Sequence, residues 1–309
     1  MATDAMRTDA LTTAGMLDAP PRRTRAHVMT ATRALLVCVM VLAAGCASVI
    51  SRASQKFADN LTAGILGQDD IELARQGIPA YLLLIDGLID GDPQNAGMLL
   101  AGAHLYGAYA GGFIVDPTRA RTVAERGFGY ARGAACIRDK NLCRDLDGPF
   151  DALVKSIAQA RDAPLLFTLA SCWATRIQSN SGDWGAIADI PKVQALLERV
   201  VALDPNYAHG DPYLYLGVLD TLRPASLGGE PEKGKAAFEK ALALSAGNNQ
   251  MVRVLYAEKY ARLVFDQPLH DRLLNEAIKA DPHVPGMTLI NVLAQQRAKV
   301  LLASGKDYF

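Results

Sequence analysis

Three segments between Val193 and Pro282 repeat one pattern: VQALLERVVALDP, GKAAFEKALALSA and HDRLLNEAIKADP. In each, small or apolar residues fall at i, i+3, i+4, i+7 and i+8. They are Val193/Leu196/Leu197/Val200/Val201, Gly234/Ala237/Phe238/Ala241/Leu242 and His270/Leu273/Leu274/Ala277/Ile278. At 3.6 residues per turn that spacing makes one stripe on a helix. Glu198, Arg199, Glu239, Lys240, Glu276 and Lys279 take the opposite, water-facing side. Asp204-Pro205 and Asp281-Pro282 stop two of the helices, because proline cannot continue a helix and disfavours α geometry in the residue before it. A helix with one greasy stripe needs neighbours to bury it, which is how stacked repeats are held together.

The fourth stripe position recurs at 200, 241 and 277, near the ~34-residue tetratricopeptide period. The first-helix pattern, aromatic-x2-Leu-Gly-x2-aromatic, appears as Tyr213-x2-Leu216-Gly217-x2-Asp220, with Asp in the last aromatic place. Weaker copies are Leu99-x2-Gly102-Ala103-x2-Tyr106, Trp173-Ala174-x2-Ile177 and Tyr256-Ala257-x2-Tyr260. Second-helix stripes are expected at Tyr81/Leu84/Ile85/Leu88/Ile89 and, less regularly, at Ala120/Val123/Ala124/Gly127/Phe128. These segments predict an all-α chain, a tetratricopeptide-like α-solenoid of about five to six helix pairs. Val284 to Ser304 reads as a C-terminal capping helix with Leu289, Val292, Leu293, Gln296 and Val300 inward. An irregular helical bundle is the alternative.

The N-terminus has a different character. Arg22, Arg23, Arg25 and Arg33 precede the apolar run Ala34–Ala44. It is too short for a spanning helix, which needs about 20 residues, and suits a secretory signal. Leu42-Ala43-Ala44-Gly45-Cys46 resembles a bacterial lipobox, with Ala43 where leucine is usual, so Cys46 is the expected lipidation site. Ala47, not Asp, follows it, which favours the outer membrane in diderm lipoproteins. Residues 1–45 are thus read as signal peptide, 46–70 as a lipid-anchored lead-in and 71–309 as the helical domain. Met29 offers a later start that gives a shorter signal. The expected place is the periplasmic side of a membrane, held by lipid.

The 309 residues suffice for one large core, and Lys+Arg and Asp+Glu balance at 32 each. That balance gives no support for nucleic-acid binding, which wants a basic face. Cys136 and Cys143 flank IRDKNL in an expected inter-helix loop. An exported protein meets an oxidising compartment, so a disulfide is expected, with two reduced thiols as the alternative. Their spacing does not match zinc sites. Cys172 reads as a buried thiol.

Motifs for chemistry fail on inspection. Gly229-x4-Gly234-Lys235-Ala236 nearly matches a phosphate-binding loop. However, the magnesium-holding hydroxyl is replaced by alanine, and no strand precedes it. Gly127-x-Gly129-x3-Gly133 has one residue too many for a dinucleotide fingerprint. His104 reads as a hydrogen-bonded packing residue, and Asp211 as the cap of a helix that Pro212 opens. No nucleophile with a base is visible, so no enzyme and no cofactor is expected. Two insertions, QSNSGDWGAIADIP and TLRPASLGGEPEKG, interrupt the repeats, and insertions on one edge of a solenoid often build its binding face.

The lipobox, the helices around Pro93, the run ASCWATRI–QSNSGDW–ADIPKVQALLERVVALDP and the run RPASLGGEPEKGKAAFEKAL together resemble the TRAP-transporter-associated TatT lipoproteins. The resemblance covers nearly all of residues 46–309. It implies a tetratricopeptide-like periplasmic lipoprotein that forms a homotrimer. It also implies a partner, the periplasmic substrate-binding subunit of a tripartite ATP-independent periplasmic transporter. A pore through each protomer is expected to pass a small hydrophobic or organic-acid ligand. Trp173, Trp184, Arg223, Leu227, Gly228 and Gly229 are expected to line the functional face. A general envelope scaffold that binds peptides or outer-membrane proteins is the competing reading.

Overall fold

The computed structural model describes residue 60 and residues 62–309. The proposed signal sequence and Cys46 lie outside the described residues. Among the described residues there are helices and turns and no strand. A short helical lead-in is followed by α1 (Ile71–Gly91), α2 (Ala96–Phe113), α3 (Pro117–Arg138), α4 (Lys140–Asp145), α5 (Phe150–Gln159), α6 (Ala163–Ser179) and α7 (Trp184–Ala188). Then come α8 (Ile190–Leu203), α9 (Asp211–Asp220), α10 (Pro231–Leu244), α11 (Gln250–Leu255), α12 (Gln267–Lys279), α13 (Thr288–Ala303) and α14 (Gly305–Tyr308).

Acidic and amide caps set where these helices begin. Asp70 accepts from the backbone N–H groups of Glu72 and Leu73, Asp116 from Arg119, and Asp162 from Leu165. Each satisfies donors that the first helical turn leaves without partners. The stripes then pack. Val193, Leu196, Leu197 and Val200 of α8 are fully buried, as are Leu274 and Ala277 of α12. Each large aliphatic side chain so placed contributes about 1.5–3 kcal/mol. Helices pack chiefly on chain neighbours: α2 on α3, α3 on α6, α6 on α8, α8 on α9, α9 on α10, and α12 on α13.

The small residues of the pattern serve close approach. A Cβ on Gly217 would stand 2.9 Å from the Phe238 ring, and one on Gly127 would stand 3.0 Å from Tyr106 Cβ. These contacts bring α9 onto α10 and α2 onto α3. The two ends of the array also meet. Helix α13 touches α1, and His283 Nε2 lies 3.6 Å from Asp69. Leu289, with Val292 and Leu293 partly, joins the core cluster that also holds Ile71 and Ile85.

Several expectations need correction. On α1 the inward stripe is Ile71/Ala74/Ile78/Leu82/Ile85/Ile89, while Leu84 and Leu88 are exposed. The helix runs from Ile71, and its whole length, not only its C-terminal half, sets which stripe has most to bury. On α13 the buried positions are Thr288, Leu289, Asn291, Ala294, Ala298 and Leu301, whereas Gln296 is exposed and Val300 is 68% exposed. Asn291 turns inward because its side chain accepts from Gln250 N and donates to Asn248 O and Pro282 O. The segment between Cys136 and Cys143 is not a loop. It is the end of α3 and the start of α4, which Asp139 caps by accepting from Asn141 N and Leu142 N. Tyr256–Ala261, read as ordinary helix, forms a π-helical turn.

Candidate functional site

Helix α2 turns one side to open space, and that side is small and apolar. Ala108, Gly111 and Gly112 are exposed, and Ala101 and Leu105 half-buried, around an exposed His104. His104 is reached by water, yet loss of hydration lowers its pKa. The ring therefore stays neutral near neutral pH.

Helix α6 supports that wall. Thr168 Oγ1 lies 2.8 Å from His104 Nε2 and donates to Pro164 O at 2.8 Å, one turn back. Cys172 Sγ donates to Ala103 O at 3.2 Å, and burial pushes its thiol up to about 12. A thiol held protonated is no nucleophile. Phe167 packs at a tilt against Tyr207 and edge-to-face against Tyr215, with ring centroids 5.4 and 5.7 Å apart. Burial, and then the charge of Asp211, raises the Tyr215 hydroxyl.

The chain enters this region through strained backbone. Ala208, His209 and Gly210 all have positive φ, 45°, 53° and 95°. Two of them are not glycine, a costly arrangement that only the surrounding packing sustains. Gly210 could not be otherwise, since a Cβ there would lie 2.9 Å from Leu244 Cβ. Asp211 is the first residue of α9, after Gly210, and does not cap the helix. Its carboxylate accepts from Asn249 Nδ2 at 3.2 Å instead. Burial raises its pKa to about 6, against the opposing pull of Asn249 and His209. The left-handed turn places Gly210 in the cap position and moves the acid inward.

A model of the TAtT family, described as TRAP transporter T-component, matches residues 67–309. The chain belongs to the TAtT family. An uncharacterized protein of Treponema pallidum (strain Nichols) is similar, 26% identical over 275 residues, or 78% of this chain and 81% of that protein. The TAtT family is a component of TRAP transporters, which associates the chain with TRAP transport, and it is not a family of enzymes.

The residues expected to form one face on this TAtT chain differ in exposure. Trp173 is 2% exposed and cannot line a surface. Its ring packs on Phe128 at 4.9 Å and under Lys192 Nζ at 5.4 Å, and its Nε1 donates to Asp189 Oδ2. The apolar ASCWATRI helix has partners on several sides and draws the indole inward. Trp184, in contrast, is 83% exposed at the start of α7, where Asp183 accepts from Gly185 N. Arg223 is exposed and Leu227 is 67% exposed in the second insertion. Gly228 and Gly229 shape that turn. Gly228 has φ +76°, and a Cβ on Gly229 would strike Arg223 O at 1.8 Å.

Cys136 and Cys143 are bonded, with Cα atoms 4.7 Å apart, and tie α3 to α4. Beside them Asn141, Arg144, Asp145, Lys155, Ser156 and Gln159 line a depression of about 270 Å³. There the Arg144 guanidinium, and then the Ser156 hydroxyl, hold the Asp145 carboxyl at about 2. Sequence reasoning missed the ring cluster of Phe167, Tyr207 and Tyr215 and the contact of Thr168 with His104. Thr168 sits four residues after Pro164, a spacing that allows a hydroxyl to bond back to a carbonyl. Nothing in the sequence says that His104 stands opposite it.

Proposed function

We propose that this chain is the periplasmic lipoprotein partner of a tripartite ATP-independent periplasmic transporter, docking the substrate-binding subunit and passing it a small ligand. In this reading the helix hairpins form a tetratricopeptide-like solenoid whose two ends meet. Cys46 carries the lipid that tethers the chain, on the outer membrane, and three copies assemble. The observation that carries the reading is the meeting of α13 with α1 together with the small, apolar side of α2 around His104. Joined ends turn the inner side of the hairpins toward an enclosed space, and a small apolar wall suits a ligand with an apolar body.

The competing scaffold reading wants Asn, Lys and Arg on the inner side to hold peptide ends. The exposed side of α2 carries Ala, Gly and one neutral His, which favours the transporter reading. Immobilised chain would be incubated with periplasmic extract from the same cells. Retention of a solute-binding protein, with none on an unrelated lipoprotein, is the expected result. Failure to retain any, with a control pair binding normally, would sink the reading.

A further inference from the structure

We infer that the depression between α4 and α5 is a docking point for an acidic segment of a protein partner, with the partner's carboxylate on Arg144 and Lys155 and its backbone on Asn141 and Gln159. This goes beyond the reading above: it concerns α4 and α5 rather than α2, and it defines the partner by its chemistry alone.

The floor of the depression is fixed. Asp145 and Ser156 are buried, and the Ser156 hydroxyl donates to Asp145 Oδ2. Arg144 Nε donates to Asp145 Oδ1 at 2.7 Å, and Nη2 donates to Oδ2 at 2.9 Å. Nη1 donates to Asn141 Oδ1 at 3.3 Å. A surface arginine ordinarily gives up side-chain freedom when it binds, and this one is ordered beforehand. A guanidinium carries five N–H groups. These contacts leave one N–H on each of Nη1 and Nη2 uncommitted. The walls are held as well. The Cys136–Cys143 disulfide ties α4 to α3, and Arg199 Nε donates to Ala160 O at 3.0 Å, just past the end of α5.

On the α5 side stand Lys155 and Gln159, both exposed and both without a side-chain partner among the described residues. Free donors therefore outnumber free acceptors. The Lys155 ammonium, the spare Arg144 N–H groups and two amide NH2 groups face only the Gln159 carbonyl. The one acid, Asp145, is spent on Arg144 and Ser156, so Lys155 leaves the depression with net positive charge. Such a surface takes an acceptor-rich anion, and a carboxylate matches guanidinium N–H groups in a plane. Size decides where that carboxylate comes from. Pockets that enclose small ligands run from about 300 to 1,000 Å³ and are mostly apolar. Here the volume is about 270 Å³, and every lining side chain but Ala152 is polar or charged. That space does not hide the body of a ligand, but it holds a Glu or Asp side chain presented from another surface. The amides of Asn141 and Gln159 then meet the backbone groups that flank the acid.

The test uses the full chain labelled with 15N at arginine and lysine, at low salt. Four probes are titrated separately: acetyl-Gly-Glu-Gly-amide, acetyl-Gly-Gln-Gly-amide, propionate and inorganic phosphate. The glutamyl peptide is expected to shift the Arg144 and Lys155 side-chain resonances. It is expected to bind about tenfold more tightly than the glutaminyl peptide, the worth of one hydrogen bond to a charged group. Propionate, the same acid without a backbone, should bind several-fold more weakly than the glutamyl peptide. Lys155→Gln, a change at an exposed side chain without a partner among the described residues, should erase the preference for Glu over Gln. Should this variant fail to fold, Gln159→Ala should bring the glutamyl peptide down toward the affinity of propionate. Equal binding of the two peptides, propionate or phosphate binding as tightly as the glutamyl peptide, or a preference that survives Lys155→Gln would overturn the docking point. The retention experiment on the solute-binding protein is independent. Glutamyl-peptide binding without retention would spare the docking point and remove the transporter reading, and the converse would do the opposite.

Discussion

Asp86 in the first half of the helical array and Asp220 in the second are both buried, and their surroundings differ. Asp86 of α1 accepts from the Tyr106 hydroxyl of α2 at 2.7 Å and from the Tyr130 hydroxyl of α3 at 2.6 Å, with Arg126 Nη2 at 3.2 Å. The guanidinium also lies over both tyrosine rings, 5.8 and 6.0 Å from their centroids. Three helices converge on one carboxylate and satisfy it. Asp220 ends α9 where the second insertion begins. Lys233 Nζ comes no closer than 3.7 Å to Oδ1, and Oδ2 has no hydrogen-bond partner. Burial raises its pKa, with Lys233 opposing and Glu230 and Glu198 reinforcing. A carboxylate at a helix C-terminus is also disfavoured by the helix dipole. The difference teaches that long, uninterrupted hairpins can gather donors around a charge. A hairpin opened by an insertion leaves its charge short of them, so the second half should respond to pH and the first should hold.

Breaking the well-satisfied side has the largest expected effect. Asp86→Ala leaves two tyrosine hydroxyls and a guanidinium without their acceptor and should cost about 3 kcal/mol in urea unfolding. If it costs no more than Asp220→Ala, the contrast fails. Next comes the α9–α10 contact. Gly217→Ala forces a methyl group to within 2.9 Å of the Phe238 ring and should destabilise by about 2 kcal/mol. Replacing both Cys136 and Cys143 with Ser releases the tie between α3 and α4, with an expected loss of about 2 kcal/mol. That loss should fall on the first half, seen as faster hydrogen exchange near α4.

Asp211 sharpens the comparison through pH. Its folded pKa, about 6, lies above the unfolded value, so the folded state holds the proton more tightly. The cost is absent below about pH 4, grows toward pH 6 and is complete above it. The native chain should therefore lose stability as pH rises through that window. Asp211→Asn should flatten the profile and gain about 1 kcal/mol at neutral pH. A profile unchanged by this variant would remove Asp211 from the account. The smallest stability effect is expected at Trp184→Ala, within about 0.5 kcal/mol, because the ring is 83% exposed. The same change should weaken retention of a partner if the first insertion is part of the docking edge.

Much of the helical plan was legible in residue spacing. The stripes at Val193, Gly234 and His270 are buried at their first four positions and half-buried at the fifth, because a 3.6-residue repeat leaves one face to hide whatever the neighbour turns out to be. Leu84, Leu88 and Val300 were misjudged because a helix rich in leucine and valine offers several stripes, and the neighbouring helices choose among them. Trp173 and Trp184 looked equivalent on either side of the long link. One is core and the other is 83% exposed at the start of a short helix, and no local pattern separates the two.

Local sequence by itself determined that this chain is helical, where most helices stop, and which glycines must stay small, since period, proline and the lack of a Cβ act within a few residues. Tertiary structure alone decided that α13 meets α1, that Asp86 gathers its donors, and that Thr168 stands against His104. Those contacts join residues 20 to 64 positions apart in the hydrogen bonds named and farther still for the helix ends. Their partners are selected by how whole helices pack, which no short window of residues contains.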